Sequence, residues 1–297
     1  MDSGTEFSVT GMGELLELMT EEQLPQNDIK AIFFDVDGTL LGLDGSYSSA
    51  TKLAIKNIKE KDIKAGIASG RPYFAARHIV YELGLDDLGI FCAGASLYLP
   101  SQNRVLSQAE LPRKTATTVI ACLRTLNVHY EIYTSEHYYI EQNNLDEIRR
   151  VHTQHLRCDA LDKDFDSVIA ESSVIKLLAA VNSRDKFSVL HDLEKRFPSL
   201  DFAYAGIAAY PDWLFVSITD PSACREKAFA KMLTFHGIAA SQVMSFGDAQ
   251  SDCVFLKNAG IGVAMGNAGD EVKAIADIVT KPVWDDGIAY ALSRLIS

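Results

Sequence analysis

Two carboxylates stand two residues apart in Asp35-Val36-Asp37-Gly38, directly after the apolar run Ala31-Ile32-Phe33-Phe34. Ionised and unpaired, like charges at that spacing repel and raise each other's pKa. A divalent cation removes the conflict. A third acid, Asp248 in Gly247-Asp248-Ala249-Gln250-Ser251-Asp252, would complete a hard oxygen site of the kind Mg²⁺ prefers. Asp252 would bind that ion through water or orient its neighbours. Magnesium keeps several waters and leaves room for a phosphate oxygen, so the chemistry this set suggests is phosphoryl transfer. One aspartate can attack phosphorus; the other can protonate the leaving oxygen and later activate water. Gly38 and Thr39 supply turn N–H groups that could cradle the phosphate. By itself, Asp-x-Asp-Gly reads more readily as a turn built of acids.

Two further stretches suit an anion. Ser69-Gly70-Arg71-Pro72 lies between an apolar segment and a helix start, where N–H groups and the helix dipole favour negative charge. Lys227 falls in a first helical turn, where the dipole prefers acids; a facing phosphate would account for it.

The elements that must position these residues follow from the hydrophobic pattern. Short apolar runs at Ala31–Phe34, Ala65–Ala68, Val243–Phe246 and Gly260–Ala264 suit buried strands of a parallel sheet. Ser49 can cap a helix whose inward face holds Leu53, Ile55 and Ile58. Helices from Arg71-Pro72 to Leu83 and from Glu226 to Phe235 stop at Gly84 and Gly237. Strand–helix alternation of this sort predicts an α/β fold with a Rossmann-like parallel sheet, whose ligands bind beyond the carboxyl ends of the strands. Asp35 with Asp37, Ser69, and Asp248 with Asp252 all fall at such ends. The middle differs. Strands are expected at Tyr130–Tyr133, His137–Ile140, Val174–Val181 and Leu214–Ile218, with helices at Arg113–Leu126 and Lys186–Phe197. The expected division is an N-terminal extension over 1–29, a core over 30–94 plus 220–297, and an inserted α+β domain over 95–219. The extension reads as weakly structured, with an amphipathic turn or two around Leu15, Leu16 and Met19.

A net charge of −12 argues against a nucleic-acid or anionic-membrane partner, since phosphate backbones demand clustered Lys and Arg. It does not exclude a small phosphorylated substrate, because one cation reverses the local field. The five cysteines are scattered and never spaced as CxxC, which suits thiols in a reducing compartment rather than a disulfide framework. Residues 1–29 carry no basic, apolar leader pattern, and no run is long enough to span a bilayer. The expected location is cytoplasmic.

Taken in order, Asp35-Val36-Asp37-Gly38-Thr39-Leu40, Ala68-Ser69-Gly70-Arg71-Pro72, Lys227 and Gly247-Asp248-x-x-x-Asp252 resemble the haloacid dehalogenase-like hydrolase superfamily. Gly262-Val263-Ala264-Met265-Gly266-Asn267-Ala268 and Asp286-Gly287 resemble its Cof-type branch, as does the insert's position between the Ser69 and Lys227 motifs, where that branch carries a type IIB α+β cap. The resemblance implies a Mg²⁺-dependent phosphatase acting on sugar phosphates or related small metabolites through an aspartyl-phosphate. It assigns Asp35 as nucleophile and Asp37 as acid/base and backbone-carbonyl metal ligand. Asp248 would be a metal ligand, and Ser69 and Lys227 would hold the phosphate, with Gly70 beside them. Three positions depart from the family pattern: Ser251 and Ala93 each replace a usual Asn, and Cys224-Arg225-Glu226-Lys227-Ala228 lacks the usual Gly-containing turn. A phosphomutase and a non-catalytic binding protein on the same scaffold are the other readings. Oligomeric state is not legible.

Overall fold

The computed structural model describes residues 13–25, 28–141, 146–207 and 210–296. They form two compact units: Met1–Ala68, Leu83–Asp87 and Leu233–Ser297 make the first, Ser69–Glu82 and Leu88–Met232 the second.

The first unit is built on a six-stranded sheet in the order Glu14–Leu15, Ile278–Val279, Ile261–Ala264, Val243–Gly247, Ala31–Phe34, Lys64–Ile67. Every neighbouring pair is parallel. The adjacent interior strands Ala31–Phe34 and Val243–Gly247 are buried along their whole length, which is why they read as unbroken apolar runs rather than alternating ones. Phe34 and Phe246 stack across the sheet with centroids 5.2 Å apart, fixing the two strand ends that lead into the acidic segments.

Helix Ser49–Glu60 packs Thr51, Ile55 and Ile58 inward. Two expectations fail here. The cap is Ser48, whose hydroxyl accepts the Thr51 N–H at 3.0 Å, and Leu53 is 58% exposed. With Ile55 and Ile58 three residues apart fixing the buried stripe, position 53 falls two residues from Ile55 and so on the opposite side. The N-terminal stretch forms the expected amphipathic turn, a 3-10 turn over Leu16–Leu18 with Leu16 fully buried and Leu18 exposed, and adds a parallel edge strand, Glu14–Leu15 beside Ile278–Val279, that was not expected. Such a two-residue strand has no periodicity to detect.

The second unit carries a six-stranded sheet in the order Asp201–Ile207, Tyr210–Thr219, Lys176–Val181, His129–Tyr133, Tyr138–Ile140, Leu161–Asp162. Its pairings are antiparallel except the last. Strict alternation divides its two faces. Tyr130, Ile132, Leu177, Ala179, Val216 and Ile218 join helix Arg113–Leu123 and two others in one core. Tyr133, Leu178, Ala180 and Phe215 meet helix Asp146–Leu156 and Ala75 in the other. A smaller antiparallel sheet, Gly89–Phe91, Ser96–Leu99 and Arg104–Gln108, and helix Tyr73–Leu83 complete this part. Between the first two of those strands, Cys92, Ala93 and Gly94 take φ values of 49°, 57° and 100° in succession, a left-handed run that is costly for the two non-glycine residues.

Candidate active site

The strand register builds the acidic site. Phe34 lies opposite Phe246, and the Asp35 N–H donates to the Phe246 carbonyl at 3.0 Å while Ala68 N–H donates to that of Phe34 at 2.9 Å. Asp35 therefore leaves the sheet held between both neighbours. One strand over, Met265 N–H donates to Gly247 O at 2.9 Å, pinning the residue before Asp248. The carboxylates of Asp35, Asp248 and Asp252 converge so that one oxygen from each lies within 4.8 Å of the others. Asp37 is half-buried and its carboxylate is outside that trio.

A close approach sets the distance between the two acidic segments. Gly38 has φ +85°, and a Cβ there would stand 2.2 Å from Asp248 Oδ2; only glycine lets Asp248 rest against this turn. Thr39 Oγ1 donates to Asp248 Oδ1 at 2.9 Å. Asp252, 2% exposed, accepts the N–H groups of Asp248 and Ala249 on Oδ2 at 3.1 and 2.9 Å, and the Ser251 hydroxyl on Oδ1 at 3.1 Å. It thus folds the turn that presents Asp248 and also lends a carboxylate to the cluster.

Electrostatics follow. Burial first, then Asp252, Asp37 and Asp248, push the Asp35 carboxyl well above the usual carboxylate range. Burial likewise lifts Asp248 to about 6, opposed by the Thr39 hydrogen bond and reinforced by Asp252 and Asp37. Mutually repelling, desolvated carboxylates offering only oxygen fit a hard divalent cation.

Ser69, Gly70 and Lys227 belong to the second unit. Ser69 is buried, its N–H donates to Ile90 O at 2.9 Å, and its Oγ accepts the Arg71 N–H at 3.3 Å. Gly70 is exposed. Lys227 is the third residue of helix Arg225–His236 and is exposed.

Asn267 was not picked out as a site residue in the sequence. Its Nδ2 donates to Gly38 O at 2.9 Å and reaches Asp248 Oδ2 at 3.4 Å, while its Oδ1 accepts the Val283 N–H at 2.9 Å. It braces the turn carrying Asp37 against Asp248. Its place after strand Ile261–Ala264 was the available signal. Equally unforeseen is a buried trio in the second unit: Glu131 Oε1 meets His129 Nε2 at 2.7 Å and His152 Nδ1 at 2.9 Å. These three could in principle hold a metal. However, a metal on His129 Nε2 would force the proton onto Nδ1, and that buried atom has no hydrogen-bond partner, whereas ligating histidines usually donate from the other nitrogen. The trio is a structural charge network joining helix Asp146–Leu156 to the sheet.

Comparison with known proteins agrees with this geometry. Residues 32–292 match the family model of haloacid dehalogenase-like hydrolases. Phosphatase YwpJ of Bacillus subtilis is 26% identical over 90% of this chain and 100% of its own. The pyridoxal phosphate phosphatase YbhA of Escherichia coli is 28% identical over 90% of this chain and 99% of its own. The solved structure of the subclass IIB sugar phosphatase BT4131 superposes with a TM-score of 0.73 at 25% identity, covering 89% of this chain and 98% of that one.

Proposed function

The chain belongs to the haloacid dehalogenase-like hydrolases, with the Cof-type, type IIB architecture, and on that premise we propose that it is a magnesium-dependent phosphatase working through an aspartyl-phosphate on Asp35. It is a phosphoric monoester hydrolase acting on small phosphorylated substrates; the ion, the intermediate and a sugar phosphate as substrate are the finer reading. The observation that carries it is the convergence of Asp35, Asp248 and Asp252 at the carboxyl end of a parallel sheet.

In this reading Asp35 attacks phosphorus, forming an acyl phosphate as the bond to the leaving oxygen breaks. Asp37, whose carboxyl stands apart from the trio, gives that oxygen its proton and then takes one from the water that cleaves the intermediate. Asp248 and Asp252 would hold the magnesium together with Asp35 and the Asp37 carbonyl. When bound, the cation supplies charge neutralisation at the transferring phosphoryl group. Gly38, Thr39, Ser69, Gly70 and Lys227 would hold the phosphate. The core would comprise 30–94 and 220–297, and the inserted domain 95–219 would choose the leaving group.

The test is phosphate release from a panel including sugar phosphates and pyridoxal phosphate, with magnesium and with EDTA, for the wild type and Asp35→Asn. The wild type should turn over at least one compound only with magnesium, and the variant none. Undiminished, magnesium-dependent release by Asp35→Asn would overturn the mechanism.

A further inference from the structure

We propose that Lys176 is a specificity residue that favours phosphomonoesters bearing a second anionic group; this rests on the reading that Ser69 and Lys227 hold the phosphate. Lys176 opens strand Lys176–Val181 opposite Tyr133 and is only 6% exposed. Its Nζ lies 3.9 Å from the Tyr133 ring centroid. Among the described residues it has no hydrogen bond or ion pair.

The obvious counter-charge is already committed. Glu131 lies on the same sheet face, in register with Leu178. Its Oε1 is taken by His129 and His152, and its Oε2 accepts the Tyr133 hydroxyl. Even a desolvated cation–π contact returns less than removing an ammonium from water costs. Burial accordingly holds the Lys176 ammonium below its ordinary pKa. Such a group is under-compensated until an anion meets it.

Its position gives the anion a source. Lys176 stands in the electrostatic reach of Cys92. Cys92 N–H donates to Arg71 O at 3.0 Å and Ala93 N–H to Ser69 O at 3.2 Å. A Cβ on Gly94 would lie 3.0 Å from Arg225 N and 3.1 Å from Cys224 C, just before Lys227. The segment beside Lys176 therefore ties together both stretches assigned to the phosphate. Ser69, Lys227 and this ammonium belong to the same unit.

Two probe pairs isolate the second charge: 6-phosphogluconate against glucose 6-phosphate, and 3-phosphoglycerate against glycerol 3-phosphate. Kinetics and calorimetric binding are measured for the wild type, Lys176→Met and Lys176→Arg, with Lys176→Gln replacing the Met variant if that does not fold. Losing one hydrogen bond to a charged group should cost the acidic member about tenfold more in kcat/KM and Kd than its neutral partner, with Arg recovering most of it. Equal losses for both members, as a purely structural lysine gives, or a wild type indifferent to the second charge, would overturn the proposal. Should Asp35→Asn keep its turnover, the catalytic reading falls, while the binding ratio still decides Lys176.

Discussion

Replacing Asp248 with asparagine should make the metal-free protein more stable at neutral pH while ending its response to magnesium. The folded protein holds the Asp248 proton more tightly than the unfolded chain does. This contribution to stability is therefore fully favourable below the ordinary value of 3.8 and is lost as pH rises through about 6. That interval corresponds to ~3 kcal/mol of destabilisation above pH 7. Asparagine removes the charge and keeps the oxygen that accepts from Thr39, 2.9 Å away. It also turns a donor toward Asn267 Nδ2, which lies 3.4 Å from Oδ2, at a cost of about 1 kcal/mol. A net gain of ~2 kcal/mol remains at pH 8, shrinking through pH 5 and turning into a loss of up to about 1 kcal/mol below pH 4. Urea titrations in EDTA across that range measure it. With magnesium at a hundred times its Kd, the wild type should gain about 2.7 kcal/mol and the variant almost nothing. If Asp248→Asn were no more stable than the wild type in EDTA at pH 8, the picture of carboxylates strained by burial and mutual repulsion would be wrong.

Gly38→Ala should act on the same contact from the other side. Its methyl must displace the Asp248 carboxylate by about 1 Å, enough to cut turnover about a hundredfold, and magnesium affinity measured by calorimetry should fall with it. Ala93→Gly should stabilise the protein by about 0.5–1 kcal/mol by relieving a left-handed alanine, whereas Gly94→Ala, which drives a Cβ to 3.0 Å from Arg225 N, should destabilise it; thermal melts giving the opposite order would refute the assigned backbone. Glu131→Gln should cost about 3 kcal/mol, since it breaks a buried charge network. Burial raises the Glu131 pKa, but His152 and the hydrogen bonds from both histidines outweigh it and leave the carboxyl below its usual range. The stability it contributes is thus present above its unfolded value near 4.5 and disappears as pH falls, so the gap between variant and wild type should close in acid.

The parallel sheet was legible because its strands are buried on both faces and end on turn-forming acids: Ala31–Phe34 runs into Asp35 and Val243–Gly247 into Asp248. The convergence of Asp35, Asp248 and Asp252 followed from the rule that adjacent parallel strands deliver their ends to one edge. Asn267 escaped because its role is set by distances to Gly38 and Asp248, 229 and 19 residues away in sequence, and an Asn after a strand carries no period. The edge strand Glu14–Leu15 and the strand Gly89–Phe91 of the small sheet are two and three residues long, below the length at which alternation can be read. Glu131 and Lys176 lie within stretches read as strands. Their burial depends on partners in other elements: His152 on a helix, Tyr133 on the neighbouring strand.

The departures from the family pattern can be weighed on the same physical terms. Ala93 has φ 57° and ψ 31°, the left-handed conformation that Asn tolerates better than other non-glycine residues. An Asn at this position therefore eases the backbone whatever else it touches. Alanine adopts the same turn, still donates its N–H to Ser69 O, and bears the conformational cost, so the substitution changes energy before geometry. Ser251 directs its hydroxyl to Asp252 Oδ1, the carboxylate whose other oxygen folds the turn behind Asp248. Both replacements thus act on the supports of the site, while Asp35, Asp37 and Asp248 keep the side chains that the proposed chemistry requires. An activity lowered by these two positions should be recovered by Ala93→Asn and Ser251→Asn without altering magnesium dependence. A catalytically silent protein would stay silent in both.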